Sequence, residues 1–356
     1  MKAFDFPDIR PLSRAYESAL MGRINNKTKP LGSLGMLEEL ALTLGLIQGS
    51  ETPQVDKPKM LVFAGDHGVV AQGVSPFPQE VTCQMVMNFL AGGAAVSVFC
   101  QQHAVPLQVV DVGVNGEFES MPLLTNRKVN MGTKDFSVAP AMTESEFLLA
   151  LNAGVKEVDV AHSEGKNILL FGEMGIGNTT VGAALMSAIL SKPVRECVGA
   201  GAGVTHEGIE KKISVIENTF ARIEAHYDTP IAQLDADVLA QELAGFEVVA
   251  IAGAMLRSAE LGIAYVVDGF ICTSALLLAS KLNKSVVDYG IFAHQSHEKA
   301  HLDMLAHFKA KPILSLSMRL GEGSGAIVAL PIIQSAALFL TNMASFESAG
   351  VSEGNG

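Results

Sequence analysis

An α/β fold built on a mostly parallel sheet is predicted by three observations in this 356-residue chain. Four short apolar runs share one kind of ending: MLVFAGDHG (Met60–Gly68), LQVVDVG (Leu107–Gly113), ILLFGEMG (Ile168–Gly175) and IAYVVDG (Ile263–Gly269) each close on an acid beside a glycine or one residue from it. Helical patterns alternate with these runs. Thirty-four glycines against 14 prolines suit many tight strand-to-helix turns. A continuously apolar strand is buried on both faces, as in a parallel sheet. Strands that alternate with helices are joined by right-handed crossovers.

Taken in chain order, Pro11–Met21 and Met36–Ile47 read as helices with no strand beside them. The Met60 run is the first strand, and VTCQMVMNFL after it packs as core or pocket wall. The Leu107 and Ile168 runs are the next strands. Helical patterns follow at Thr179–Leu190, His206–Ala225 and Val238–Leu261, then the Ile263 strand and a helix at Thr273–Leu282. SVVDYGIF (Ser285–Phe292) and PILSLS (Pro312–Ser317) are expected as two more strands around a helix at Ser296–Phe308. Gly325–Met343 is helical again. The helices of the two ends are expected to pack together as a small subdomain, 1–57 with 325–356, beside a sheet domain at 58–324. The polar tail from Ser345 to Gly356 is expected to fray, and no internal repeat is seen.

Composition excludes some functions. A formal net charge of −12 argues against a nucleic-acid partner, whose binders carry basic patches. It suits a protein that admits anions only through local devices such as helix N-termini. Cys83, Cys100, Cys197 and Cys272 are scattered without a C-x-x-C pair, as expected of reduced thiols. The first residues, MKAFDFPDIRPLSRAYES, hold no apolar segment of a secretory signal, and no apolar run approaches the ~18 residues that span a bilayer. A cytoplasmic protein with no membrane partner is expected.

In parallel sheets ligands bind outside the carboxyl ends of the strands. Asp66, Asp111, Glu173 and Asp268 would all sit at that edge and could converge there. The segment FGEMGIGNTT (Phe171–Thr180) matches the P-loop pattern at every position but one, with Asn178 where the lysine belongs. Bare amides at a positive helix end bind phosphate. Without that lysine, and without a partner to hold magnesium, a single phosphate suits the turn better than a triphosphate. A plain tight turn capped by Asn178 or Thr179 is the alternative. VGAGAGV (Val198–Val204) is a weaker glycine run, and Lys212 on the helix after it could reach an anion or sit on the surface. RLGEGSGA (Arg319–Ala326) places Glu322 between glycines, where a poorly solvated carboxylate would suit a general base and a solvated one would be a plain loop acid.

His294, His297 and His301 have i, i+3, i+7 spacing, which would put all three on one helix face. Zinc, a polar face and a subunit contact are the possible readings, but the spacing fits no usual zinc motif and no metal is expected. Asp66-His67 invites a catalytic pair, although adjacent residues on a turn often point apart.

Several long segments together resemble one family. KPLGSLGMLEELA (Lys29–Ala41), FAGDHGV (Phe63–Val69), GVSPFPQEVTCQMV (Gly73–Val86), FLAGGAAVSVF (Phe89–Phe99), GEMGIGNTT, GAGAGV, DGFI (Asp268–Ile271) and RLGEGSGA occur in the order found in the nicotinate-nucleotide–dimethylbenzimidazole phosphoribosyltransferases, which make the lower-ligand nucleotide of cobalamin. The chain departs from the family at Ala300, where glycine is expected. The resemblance implies a Rossmann-like sheet, a homodimer and no cofactor. It also implies transfer of phosphoribose from nicotinate mononucleotide to 5,6-dimethylbenzimidazole. It assigns the general base to Glu322 and a second carboxylate near ribose to Glu173. The base pocket carries over to Ser75, Phe77, Gln84 and Met85, and the phosphate and ribose contacts to Gly175, Gly177, Asn178, Gly203 and Lys212. Another lower-ligand base as acceptor, a non-catalytic mononucleotide sensor and, more remotely, a P-loop hydrolase are the rival readings.

Overall fold

The computed structural model describes residues 8–199 and 205–352. Its centre is a sheet of six parallel strands: β1 (Pro58–Gly65), β2 (Leu107–Gly113), β3 (Leu124–Asn126), β4 (Ile168–Met174), β5 (Ala264–Val267) and β6 (Gly290–Phe292), in the order β3-β2-β1-β4-β5-β6. This is the doubly wound Rossmann order, in which the direction of winding reverses between β1 and β4. Every residue of β1 is buried, as its unbroken apolar run requires. The register sets Ala64 opposite Asp111 on one side and Met174 on the other, so the acid-glycine endings reach the same edge.

Four expected elements take another form. PILSLS makes only a bridge between His294 and Leu314: Ile313 and Leu314 donate to the carbonyls of Phe292 and Ala293, and the chain then leaves at exposed Ser315. Only the last three residues of SVVDYGIF are strand, because Lys284–Tyr289 coil into a 3-10 turn. Val238–Leu261 is two helices, Ala236–Leu243 and Phe246–Glu260, parted by extended Ala244 and Gly245. The first helix runs Glu17–Asn25 rather than Pro11–Met21. The tail, expected to fray, holds a short helix at Phe346–Ala349 under a Ser345 capping box.

Among the described residues, three helices of eight residues or more and one strand lack any counterpart in the sequence reading. Glu80–Leu90 and Ala95–Gln102 are the helices of the apolar stretch after β1. Glu144–Ser163 carries a Thr143/Glu146 capping box, a local signal that was available in the sequence. It crosses helix Phe246–Glu260 at very short range. A Cβ on Gly154 would lie 1.8 Å from the Ala250 carbonyl, and one on Gly253 would lie 2.2 Å from that of Leu151. The three-residue edge strand β3 has no apolar run to announce it.

The chain ends meet. The Lys27 ammonium donates to the Met343 carbonyl at 2.6 Å, and Lys27 bridges Ser345. Helix Ser324–Asn342 packs against helix Met36–Gln48 and also against Ala95–Gln102 and β4. By length and composition this helix could cross a membrane, as could the run Glu80–Gln102, contrary to the expectation that no apolar stretch is so long. In the fold, Ala326, Ile327, Leu330, Ile333 and Leu340 of the former are fully buried, and the latter is interrupted between its two helices.

Gly154→Ala should destabilise the fold by at least about 1–3 kcal/mol, because the backbones must part to admit a methyl group. Denaturant unfolding checks this, and a midpoint equal to wild type would refute the close crossing.

Candidate active site

Outside the carboxyl ends of β4 and β5 lies a cavity of about 410 Å³ lined by the segments after β4, β5 and β6, by the loop at Arg319–Glu322 and by the helix Glu80–Leu90 with Phe77 before it. Glu173, next to last in β4, points into it while 7% exposed. One of its oxygens accepts from the Glu322 amide at 3.3 Å and the other from the Asn178 side chain. Burial, then repulsion from Asp268 and Glu247, pushes its carboxyl up to about 8. Glu173 therefore keeps its proton at neutral pH.

Asp268, just beyond β5, ties two parts of the rim together. Its oxygens accept from Gly323 at 3.2 Å and Ala326 at 2.9 Å, at the amino end of helix Ser324–Asn342. Burial raises its pKa against the opposing pull of His294 and those amides. His294 Nε2 stands 3.7 Å away.

Glu322 is held in an unfavourable backbone state. Its φ is +65°, between Gly321 and Gly323 at +87° each, so three successive residues are left-handed. For a side chain other than glycine this costs about 1–2 kcal/mol. The close fit explains Gly172: a Cβ there would meet the Glu322 carbonyl at 2.2 Å. Glu322 lines the cavity while 6% exposed, and burial raises its pKa. Backbone strain around a poorly solvated carboxylate is the signature of a functional group rather than a loop acid.

The turn after β4 leads from glycine directly into a helix end, as its sequence pattern expects. Gly177 turns the chain with φ +96°, and helix Asn178–Leu190 begins without a side-chain cap. The capping alternative is therefore not what forms, because Asn178 is spent on Glu173. The amides of Ile176, Asn178 and Thr180 go to Thr82 Oγ1, the Gly175 carbonyl and the Gly177 carbonyl. Lys212 is no surface lysine. Only 2% exposed, it donates to Thr179 Oγ1 at 3.0 Å, and burial lowers its pKa to about 8.

The structure sorts the sequence candidates. Glu322, Glu173, Phe77, Met85, Gly175 and Asn178 line the cavity. Gly177 shapes the turn, and Lys212 reaches the cavity through Thr179. Ser75 does not line it and instead accepts the Phe77 amide at 3.1 Å. Gln84 is exposed, because helical spacing puts Val81 and Met85 on the cavity face and turns residue 84 away. Gly203, with most of its glycine run, lies outside the described residues. Of the four edge acids, Glu173 and Asp268 converge, whereas Asp66 accepts the Asn115 amide and Asp111 those of Gly113 and Val114.

The histidines do not share a helix face. His301 alone is on a helix, Lys299–His307, where it accepts from the Ser296 amide at Nδ1 and contacts Thr273 Oγ1 through Nε2 at 3.0 Å. Both of its ring nitrogens are thus committed. Burial lowers its pKa to about 3, so it is neutral. Ala300 is accommodated, 2% exposed, on that helix. The cavity also takes in Ile176, Phe270, Ile271, Arg319 and Leu320. They went unassigned, although each lies in a motif already quoted.

A doubly wound sheet with a glycine turn after β4, a buried lysine behind it and three raised carboxyls facing one cavity defines an α/β protein with a small-molecule site at its strand ends. A family model described as Phosphoribosyltransferase matches residues 9–351. The chain is 48% identical over 343 residues to the nicotinate-nucleotide–dimethylbenzimidazole phosphoribosyltransferase of Janthinobacterium sp., with 96% of this chain and 97% of the relative covered. It is 47% identical to the enzyme of the same name from Cupriavidus necator, with 98% of both covered. The crystal structure of CobT from Thermus thermophilus superposes with a TM-score of 0.90 at 42% identity, covering 95% of this chain and 99% of that one. The chain belongs to the nicotinate-nucleotide–dimethylbenzimidazole phosphoribosyltransferase family.

A carboxyl whose folded pKa is raised stabilises the fold fully below its unfolded value, here 4.5, and loses that contribution as pH rises through about 8. Glu173→Gln should therefore melt above wild type at pH 8–9 and converge on it near pH 5. A Tm difference independent of pH would show that Glu173 is not protonated in the native state.

Proposed function

We propose that this protein transfers the phosphoribosyl group of nicotinate mononucleotide to 5,6-dimethylbenzimidazole, giving α-ribazole 5′-phosphate and nicotinate for cobalamin nucleotide-loop assembly. The observation that carries this reading is Glu322, strained and buried in a cavity that also takes in Gly175, Ile176, Asn178 and Thr179 of the turn read as the phosphate site. The donor's one phosphate suits a turn without a P-loop lysine, with Lys212 behind Thr179 as the cation. Phe77, Val81 and Met85 offer apolar wall for a flat heterocycle.

In the reaction, the bond from the ribose anomeric carbon to the pyridinium nitrogen breaks, and its electron pair neutralises the ring. One benzimidazole nitrogen attacks that carbon from the opposite face, which inverts the β-linked donor to an α-linked product. The proton on the other ring nitrogen passes to Glu322. No pyrophosphate leaves, so no metal is required to neutralise one. The pyridinium and the oxocarbenium-like ribose are cationic, and either would favour the ionised form of Glu173. Donor binding is then coupled to loss of the Glu173 proton.

The same reading makes the protein a cytoplasmic homodimer with no nucleic-acid or membrane partner. Met87 and Val98, on neighbouring helices, are 41% and 47% exposed, which suits a surface covered by a second copy. It also divides the chain into a sheet domain at 58–324 and a helical unit of 1–57 with 325–356, in keeping with the Lys27–Ser345 contact.

A chromatographic assay with nicotinate mononucleotide and 5,6-dimethylbenzimidazole, run in EDTA, should yield nicotinate and an α-riboside. Glu322→Gln should lower turnover by about 10²–10⁴-fold, the usual worth of a general base, with donor affinity nearly unchanged. Donor binding without product in wild type would favour another acceptor base, and failure with every base would favour a mononucleotide sensor.

A further inference from the structure

One buried ion pair lies outside the chemistry described so far. His67 Nε2 stands 2.9 Å from Glu247 Oε1, and neither side chain has any exposure. None of the four polar atoms of the pair, His67 Nδ1 and Nε2 and Glu247 Oε1 and Oε2, has a hydrogen-bond partner of good geometry among the described residues, so the two side chains are held face to face by proximity and packing. Such a pair is a poor stability device, because desolvating two charges costs about as much as their attraction returns, and an apolar pair of equal volume would pack as well. Burial pushes the imidazole pKa down, but Glu247 and Asp66 more than reverse this, so it lies above the usual histidine value.

Its surroundings point to the phosphate turn. A Cβ on Gly175 would lie 2.4 Å from the Gly65 carbonyl and 2.8 Å from His67 Nε2, so the turn rests directly on the end of β1 and on this ring. A Cβ on Gly245 would meet His67 Cε1 at 2.2 Å and Glu247 Oε2 at 2.4 Å, which is why only glycine fits between the two helices there. The next residue of the turn is held as well. Ile176 donates its amide to Thr82 Oγ1 at 3.1 Å, and that hydroxyl stands against the Asp66 carboxylate. Asp66 and His67, pointing apart, thus govern Ile176 and Gly175 respectively, one through Thr82 and the other by contact.

We propose that His67, locked by Glu247, and Thr82 are positioning residues that set the Gly175–Asn178 turn to receive the phosphate of the phosphoribosyl donor. The inference rests on the reading that this turn takes the donor phosphate. The three residues act through the backbone and need touch no substrate. Their removal should loosen the phosphate end of the site and leave the base end intact.

The test is calorimetric titration of the full-length protein with ribose 5-phosphate and, separately, with 5,6-dimethylbenzimidazole, using wild type, His67→Asn, Glu247→Gln and Thr82→Val, each first shown by thermal melting to be folded. Ribose 5-phosphate should bind roughly tenfold or more weakly to each variant, on the scale of a lost hydrogen bond to a charged group, with the affinity for the base unchanged. In turnover, KM for nicotinate mononucleotide should rise by a similar factor while KM for the acceptor stays put. If His67→Asn fails to fold, the other two variants carry the test. Unchanged ribose 5-phosphate affinity in folded variants, or an equal loss for both ligands, would overturn the proposal. Wild type that does not bind ribose 5-phosphate would overturn it too. Wild type that binds it, with the expected losses in the variants but no transfer to any base, would support the positioning role and sink only the proposed reaction.

Discussion

The cavity depends on one carboxylate, Asp268, which joins the end of β5 to the amino end of helix Ser324–Asn342. The turn it holds carries Glu322 in a left-handed conformation that costs about 1–2 kcal/mol. Two hydrogen bonds to an ionised group are worth about 1.5–3 kcal/mol each, so the tie outweighs the strain. Glu173 adds a third hold by accepting the Glu322 amide. An acid from each of two neighbouring strands therefore supports the acid on the loop, and none of the three is placed independently.

This crowding of acids is also what differentiates them. Asp268, at a helix amino end, has amides and His294 to offset its burial. Glu173 faces Asp268 and Glu247 without a cation of its own and takes a proton instead. At Glu322 desolvation is the largest cause of the rise, with the Val96 amide opposing it and Asp268 adding to it. Three carboxyl groups of similar intrinsic acidity are thus driven apart by their environment alone: Asp268 anchors the loop, Glu173 holds a proton, and Glu322 takes the role proposed for it above. Lys212 works in the opposite sense, because burial weakens its hold on a proton and an incoming phosphate would restore it.

Much of the fold was legible because its signals are local. The strands β1, β2, β4 and β5 announce themselves as apolar runs, and the glycine turns follow them directly. The errors came where a neighbour overrides the local pattern. PILSLS has strand composition but finds partners only as far as Leu314. Val238–Leu261 has one helical period, yet the chain is extended at Ala244 and Gly245, where His67 and Glu247 leave room for glycine alone. Gly154 and Gly253 look like helix-weakening residues until the two helices that need them are set side by side.

The sequence by itself determined the class of fold and the places of the glycine turns, each written in a few consecutive residues, while the resemblance to a family singled out Glu322 and Glu173 as catalytic candidates. Only the tertiary structure decided what those residues can do. Strain at Glu322, the retained proton of Glu173, the burial of Lys212 and the turning away of Gln84 all arise between segments far apart in the chain. Desolvation and Coulomb interaction depend on distance in space, and a linear pattern does not carry that distance.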